Sequence, residues 1–118
     1  MIRPLGFPRS ARLIASRDFD RALRHSDLRN RVGPLRLAAV ANTMQRARLG
    51  MIVGKRGVAK AHERNRMKRV IRDCFRQRRP DLAALDIVIQ VTSQIDNSEL
   101  RALLIQLFSP LVDSRVRS

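Results

Sequence analysis

Ala61-His62-Glu63-Arg64-Asn65-Arg66-Met67-Lys68-Arg69-Val70-Ile71-Arg72-Asp73-Cys74-Phe75-Arg76 joins an apolar seam to a dense run of cations. At about 100° per residue, Met67, Val70, Ile71, Cys74 and Phe75 fall on one face, the i, i+3, i+4, i+7, i+8 spacing of a helix packed on a core. The same step puts Asn65, Arg69, Arg72 and Arg76 on the opposite face, with Arg66 and Lys68 on the flanks. A helix over roughly residues 60–78 is predicted, stopped by Pro80, which cannot continue a helix interior. From Lys55 to Arg79 eleven Lys or Arg residues stand against Glu63 and Asp73 alone. Like charges four apart repel by a few tenths of a kcal/mol per pair, so an anionic partner is expected to offset that cost.

The neighbouring segments supply the rest of the core. Gly54-Lys55-Arg56-Gly57 leads into the helix as a basic turn, too short for a phosphate loop of the GxxxxGK[ST] type. Before it, Leu49, Met51 and Val53 alternate with Gly50, Ile52 and Gly54, the period of a strand, and residues 35–41 read as another. Joined by a polar connection over about residues 42–47, these two are expected to form an antiparallel hairpin. Ser16 as N-cap, Asp18 in the first turn, and Phe19, Ala22 and Leu23 at core spacing predict a first helix ending near His25 to Asp27, ahead of the Gly33-Pro34 break. Ile87-Val88-Ile89-Gln90-Val91-Thr92 is a strongly β-branched, buried strand. Asp96-Asn97-Ser98-Glu99 offers a capping box before the apolar stripe Leu100, Leu103, Leu104, Leu107, Phe108 and Leu111. The order α-β-β-α-β-α describes an α+β fold, a small, mostly antiparallel sheet of three to four strands packed with three helices. The 118 residues suit a single domain, with residues 1–15 an extended arm and 112–118 frayed.

Charge defines the partner class. The net charge is +15, and 22 of the 25 basic residues are Arg, whose planar guanidinium forks onto phosphate oxygens. Nucleic acid is the expected partner. No apolar run approaches the length of a membrane span, and Pro4, Pro8 and Arg9 interrupt the N-terminal apolar residues, so a cytoplasmic protein without a membrane partner is expected. Cys74, the only cysteine, lies on the apolar face and reads as a core thiol. His25 and His62 belong to separate elements and the carboxylates are scattered, Asp18 and Asp20 pointing to different helix faces. No catalytic residue and no metal site is therefore assigned to the polypeptide. Asn65, uncharged within the cationic stripe, is the candidate for a directional hydrogen bond to a base edge, a 2′-hydroxyl or its own backbone. All four aromatics are Phe and none lies in a predicted strand, which disfavours a base-stacking sheet.

Arg64-Asn65-Arg66, continued by Lys68-Arg69 and Arg72, resembles the signature of the protein subunit of bacterial ribonuclease P. Ala61-His62-Glu63, Cys74-Phe75-Arg76, Gly50, Val53, Lys55-Arg56, Phe7-Pro8-Arg9, Arg12-Leu13 and Phe19 extend the resemblance over nearly the whole chain. It implies a sheet of about four strands with helices on one side and a left-handed βαβ crossover around the basic helix, against the usual right-handed rule. It further implies a ribonuclease P endoribonuclease, a hydrolase in which a catalytic RNA, using magnesium, removes the 5′ leader from precursor tRNA. The protein itself would bind no cofactor and need no obligate protein partner. RNA contacts are expected at Lys55, Arg56, Arg64, Asn65, Arg66, Lys68, Arg69, Arg72 and Arg76. A leader cleft is expected at Phe19, Leu23, Arg36 and Ala38, with Leu23 and Ala38 standing where relatives commonly carry aromatics. The alternative is another structured-RNA binder, such as a ribosomal protein or assembly factor, which would not stimulate cleavage of precursor tRNA.

Overall fold

The structure, a computed structural model, describes residues 16–112. The elements run α1 (Ser16–Arg24), β1 (Leu28–Val32), β2 (Leu35–Ala41), β3 (Arg48–Val53), α2 (Ala61–Arg78), β4 (Leu85–Val91) and α3 (Asn97–Phe108), with single 3-10 turns after α2 and α3. The expected N-terminal arm, with its Phe7-Pro8-Arg9 and Arg12-Leu13, lies outside the described residues, as do residues 113–118. Val112, expected to fray, instead forms an isolated antiparallel bridge with Leu82.

β4 decides the topology. Ile87, Val88 and Ile89 are all essentially inaccessible, so both faces of this strand are covered and it takes a central place in the sheet. The strand order is β1-β2-β4-β3. β2 pairs β4 antiparallel, while β3 pairs β4 in parallel, Leu49 opposite Ile87 and Val53 opposite Val91. The expected hairpin between residues 35–41 and 49–53 therefore does not form, because β4 inserts between them. α2 is instead the crossover that a parallel pair requires. The actual hairpin joins β1 to β2 through Gly33 and Pro34, with Gly33 at φ 56°. A positive φ at the first of two loop residues suits glycine and matches the twist of the flanking strands. β1 was not expected as a strand: in Leu-Arg-Asn-Arg-Val only alternate residues turn toward the core, and two of the five are Arg.

Side-chain alternation divides the sheet into two faces. Leu35, Leu37, Ala39, Leu49, Val53, Ile87, Ile89 and Val91 meet Met67, Val70, Ile71, Cys74 and Phe75 of α2 and Leu100, Leu104, Leu107 and Phe108 of α3 in the larger core. The rings of Phe75 and Phe108 lie 6.2 Å apart at 51°, joining the two helices. Val40 and Val88 on the other face pack against Ala22, with Phe19, Leu23 and Ile52 at the margin. The helices thus lie on both sides of the sheet, not one: α1 covers the face opposite α2 and α3.

Helix ends follow local chemistry. Asp96 caps α3 by accepting from the Glu99 backbone N–H at 2.7 Å, the half of the expected capping box that forms. α1 ends at Arg24, beside the expected His25 to Asp27, with the His25 N–H still bonded to the Arg21 carbonyl, and goes no further because Asp27, just before β1, is bonded to β2. Its N–H donates to the Ala39 carbonyl and its carboxylate accepts from the Ala41 N–H.

Candidate nucleic-acid interface

α2 begins without a capping side chain at Lys60. Arg64 reaches back from the first turn: its Nη1 donates to the carbonyls of Val58 (2.9 Å) and Ala59 (2.7 Å), fastening the segment before the helix to it. Arg66 is spent more completely. It donates to both carboxylate oxygens of Glu63, to Asn97 Oδ1 and to the Ile95 carbonyl, tying α2 to the start of α3. The guanidinium hydrogen bond from Arg66 holds the Glu63 carboxyl below its ordinary pKa. Arg76 pairs with Asp73 at 2.7 Å, and Arg101 of α3 reaches the same carboxylate at 3.0 Å. Those two guanidinium groups, Arg76 first, hold the Asp73 carboxyl down. Burial raises the Cys74 thiol, in keeping with a core residue.

The outward side of α2 is what remains. Asn65 and Arg69 are exposed, Lys68 is half-buried, and none of the three has a side-chain hydrogen bond or ion pair among the described residues. Arg72 is half-buried and not free. The predicted ridge therefore separates by role. Arg64, Arg66 and Arg76 brace the helix while keeping their charge, and Asn65, Lys68 and Arg69 face solvent.

Lys55 and Arg56 are exposed on the turn between β3 and α2. Close approach fixes this turn: a Cβ on Gly57 would lie 2.3 Å from the Thr92 carbonyl oxygen, so only glycine lets the turn pass the end of β4. Thr92 is itself tied to Pro34 in the β1–β2 loop through its N–H and hydroxyl. The turn, the hairpin and the exit of β4 are thereby held together at one end of the sheet.

Phe19, Leu23, Arg36 and Ala38, the residues of the expected leader cleft, lie on the α1 side of the sheet. Phe19 and Leu23 are half-buried at the edge of the small core, Arg36 is exposed, and Ala38 is 5% exposed and so forms floor more than contact surface. Arg29 braces this helix, donating to the Leu23 carbonyl and to Ser26 Oγ, a cation at a helix C-terminus.

One cluster was not foreseen. Asp86, fully buried on β4, receives Arg48 through two 2.7 Å hydrogen bonds, Asn42 Nδ2 at 2.9 Å and Arg21 at 3.5 Å. Asp18 of α1 lies 3.5 Å from Arg48. The Asp86 hydrogen bonds raise the Arg48 pKa despite partial burial. This network bolts α1 to β3, β4 and the 42–47 connection. An aspartate inside a strand carries no sequence mark of such a role, although a lone acid in the apolar run Leu85–Val91 is unusual enough to question.

His25 and His62 are both exposed and lie in separate parts of the fold. Among the described residues no three His, Cys, Asp or Glu side chains converge on one point, and no helix is long and apolar enough to cross a membrane.

A four-stranded α+β fold that displays cations on α2, on the turn before it and on the exposed face of the sheet describes a small RNA-binding protein. Residues 7–112 match the Ribonuclease P family. The chain belongs to that family and is a ribonuclease P protein subunit, a component of the ribonucleoprotein that processes tRNA and a partner of its RNA. Solved structures agree. The RNase P protein of Thermotoga maritima is 26% identical, with a TM-score of 0.72, covering 86% of this chain and 98% of that one. A Staphylococcus aureus RNase P protein mutant with defective mRNA degradation activity has a TM-score of 0.79 at 21% identity, covering 86% and 88%. A second structure of Staphylococcus aureus RNase P protein gives 0.78 at 21%, covering 85% and 94%.

Proposed function

We propose that the RNA of the holoenzyme performs the hydrolysis, and that this chain contributes electrostatics, positioning and a surface for the single-stranded 5′ leader of precursor tRNA. One observation carries the reading: the two candidate surfaces occupy opposite faces of the sheet, and the Lys55–Arg56 turn links β3 of that sheet to α2. Asn65, Lys68 and Arg69, backed by the charges of Arg64, Arg66, Arg72 and Arg76, face the catalytic RNA. Phe19, Leu23, Arg36 and the Ala38 floor face the leader. Lys55 and Arg56 stand where the two polyanions come closest, and neutralising phosphates there lowers the magnesium needed for assembly.

The carboxylates near the basic surface do not suit magnesium. Glu63 and Asp73 are each occupied by guanidinium groups, so the ion belongs with phosphate oxygens of the RNA. The reading places the protein in the cytoplasm and asks for no further protein partner. The test is cleavage of a 5′-extended precursor tRNA at low magnesium by the catalytic RNA, by the protein, and by both. Strong cleavage by the mixture alone is the expected result. Cleavage by the protein alone overturns the assignment of chemistry to RNA.

A further inference from the structure

Strand register aligns side chains in rows across the α1 side of the sheet. Arg31 of β1 lies opposite Arg36 of β2, Arg36 opposite Gln90 of β4, and Gln90 opposite Ile52 of β3. Three residues beyond Ile52 the chain enters the turn carrying Lys55 and Arg56. The neighbouring row is Arg29, Ala38, Val88 and Gly50, in which Ala38 and Gly50 keep the floor low. Neither row contains a carboxylate. Asp18 and Asp86, which are on this side, are at the other end with Arg48.

Arg31 and Arg36 stand directly across an antiparallel pair, an arrangement in which like charges repel. Both are exposed, and neither has an ion pair or side-chain hydrogen bond among the described residues. With Arg29, Asn30 and Leu37 they line an open depression at the sheet edge. Arg29, pinned to the end of α1, forms its inner wall.

We propose that Arg31 and Arg36 form a clamp for one backbone phosphate of single-stranded RNA, and that the leader crosses the strands along this row from Lys55–Arg56 to the β1 edge. Two guanidinium groups facing each other across a strand pair suit a phosphate, which accepts from both and removes their repulsion. Four strands set three spacings of about 4.8 Å, so the row is about 14 Å long, room for a few nucleotides. Gln90 and Ile52 between the cationic ends offer a neutral stretch for bases or sugar. The clamp rests on the leader-cleft reading above and adds to it a direction and an outer end.

Reconstituted holoenzyme with precursor tRNAs of graded leader length separates the two claims. With the unmodified protein, affinity rises with leader length until the leader reaches the β1 edge. In Arg31→Gln/Arg36→Gln the rise stops at a shorter leader, and for long leaders the log–log salt slope falls by about 0.7 in all, the loss of one phosphate contact. An unchanged length profile and slope in the variant overturns the clamp while leaving the leader cleft intact; no length dependence in the unmodified protein overturns the cleft and the clamp together. A photoreactive group on Arg31→Cys gives a readout independent of affinity. Cross-links to leader nucleotides several positions from the cleavage site support the path, and cross-links to the catalytic RNA alone overturn it.

Discussion

Arg64 and Arg66 flank Asn65 in sequence yet turn their donors into the protein, leaving the neutral residue on the surface. Arg66 makes four hydrogen bonds within the fold and Arg69 makes none among the described residues. Replacing them with alanine should therefore have opposite consequences. Arg66→Ala leaves Glu63 without its partner and frees α2 from Asn97, and we expect a loss of about 1–3 kcal/mol of stability in denaturant unfolding. Arg69→Ala should leave stability within about 0.5 kcal/mol. Its deficit should appear in RNA affinity, with the log–log salt slope reduced by about 0.7 to 0.9. Equal destabilisation by the two would dissolve this division. Asn65→Ala is expected to weaken binding with little change of slope, because a lost neutral hydrogen bond releases no counterion. The ridge itself could be read from helical spacing. Which cations the fold consumes could not, since Arg66 meets Asn97 31 positions later, and only the packing of α2 beside α3 brings them together.

β4 carries the single buried acid among the described residues, and through it α1 is attached. Removing one partner of a buried pair strands the other charge, so Asp86→Ala should cost about 3–5 kcal/mol. Asp86→Asn keeps a hydrogen-bond acceptor for Arg48 and should cost less. Thermal or denaturant unfolding of both variants gives the order directly, and an Asp86→Ala protein as stable as the parent would sink this account of α1 docking. The elements were legible where periodicity was strong: α2, whose seam of five residues is buried as spacing predicts, α3 with its Asp96 cap, and β4 with its β-branched run. Pairing was less legible. A short polar connection after residue 41 invites a hairpin, yet alternation says which side chains share a face and nothing about which strand lies alongside. β1 escaped notice because its outward Arg29 and Arg31 leave only Leu28, Asn30 and Val32 facing in.

A chain of net charge +15 repels itself, and its few acids act as internal counterions. Arginine partners lower the folded-state pKa of Glu63 and Asp73 below the ordinary values of 4.5 and 3.8. As pH falls through that range the unfolded chain takes up protons first, so the stability these pairs contribute is present at neutral pH and lost in acid. Melting temperature should fall as pH is lowered toward and below 4, and Asp73→Asn should flatten part of that fall. Anions act in the other direction. A ligand bound only by the native state stabilises by about 2.7 kcal/mol at a hundred times its Kd. Sulfate should therefore raise the melting temperature of the free protein more than chloride at equal ionic strength. Sulfate also strengthens apolar burial in any protein, so the bulk effect must be separated from binding. The comparison that does so is Arg31→Gln/Arg36→Gln beside Arg69→Ala: these variants lose proposed phosphate contacts without touching the core. They should melt near the parent in chloride and gain less from sulfate. If all the proteins gain equally, sulfate works through solvent and screening alone, and the basic surfaces hold no anion tightly enough to matter for folding.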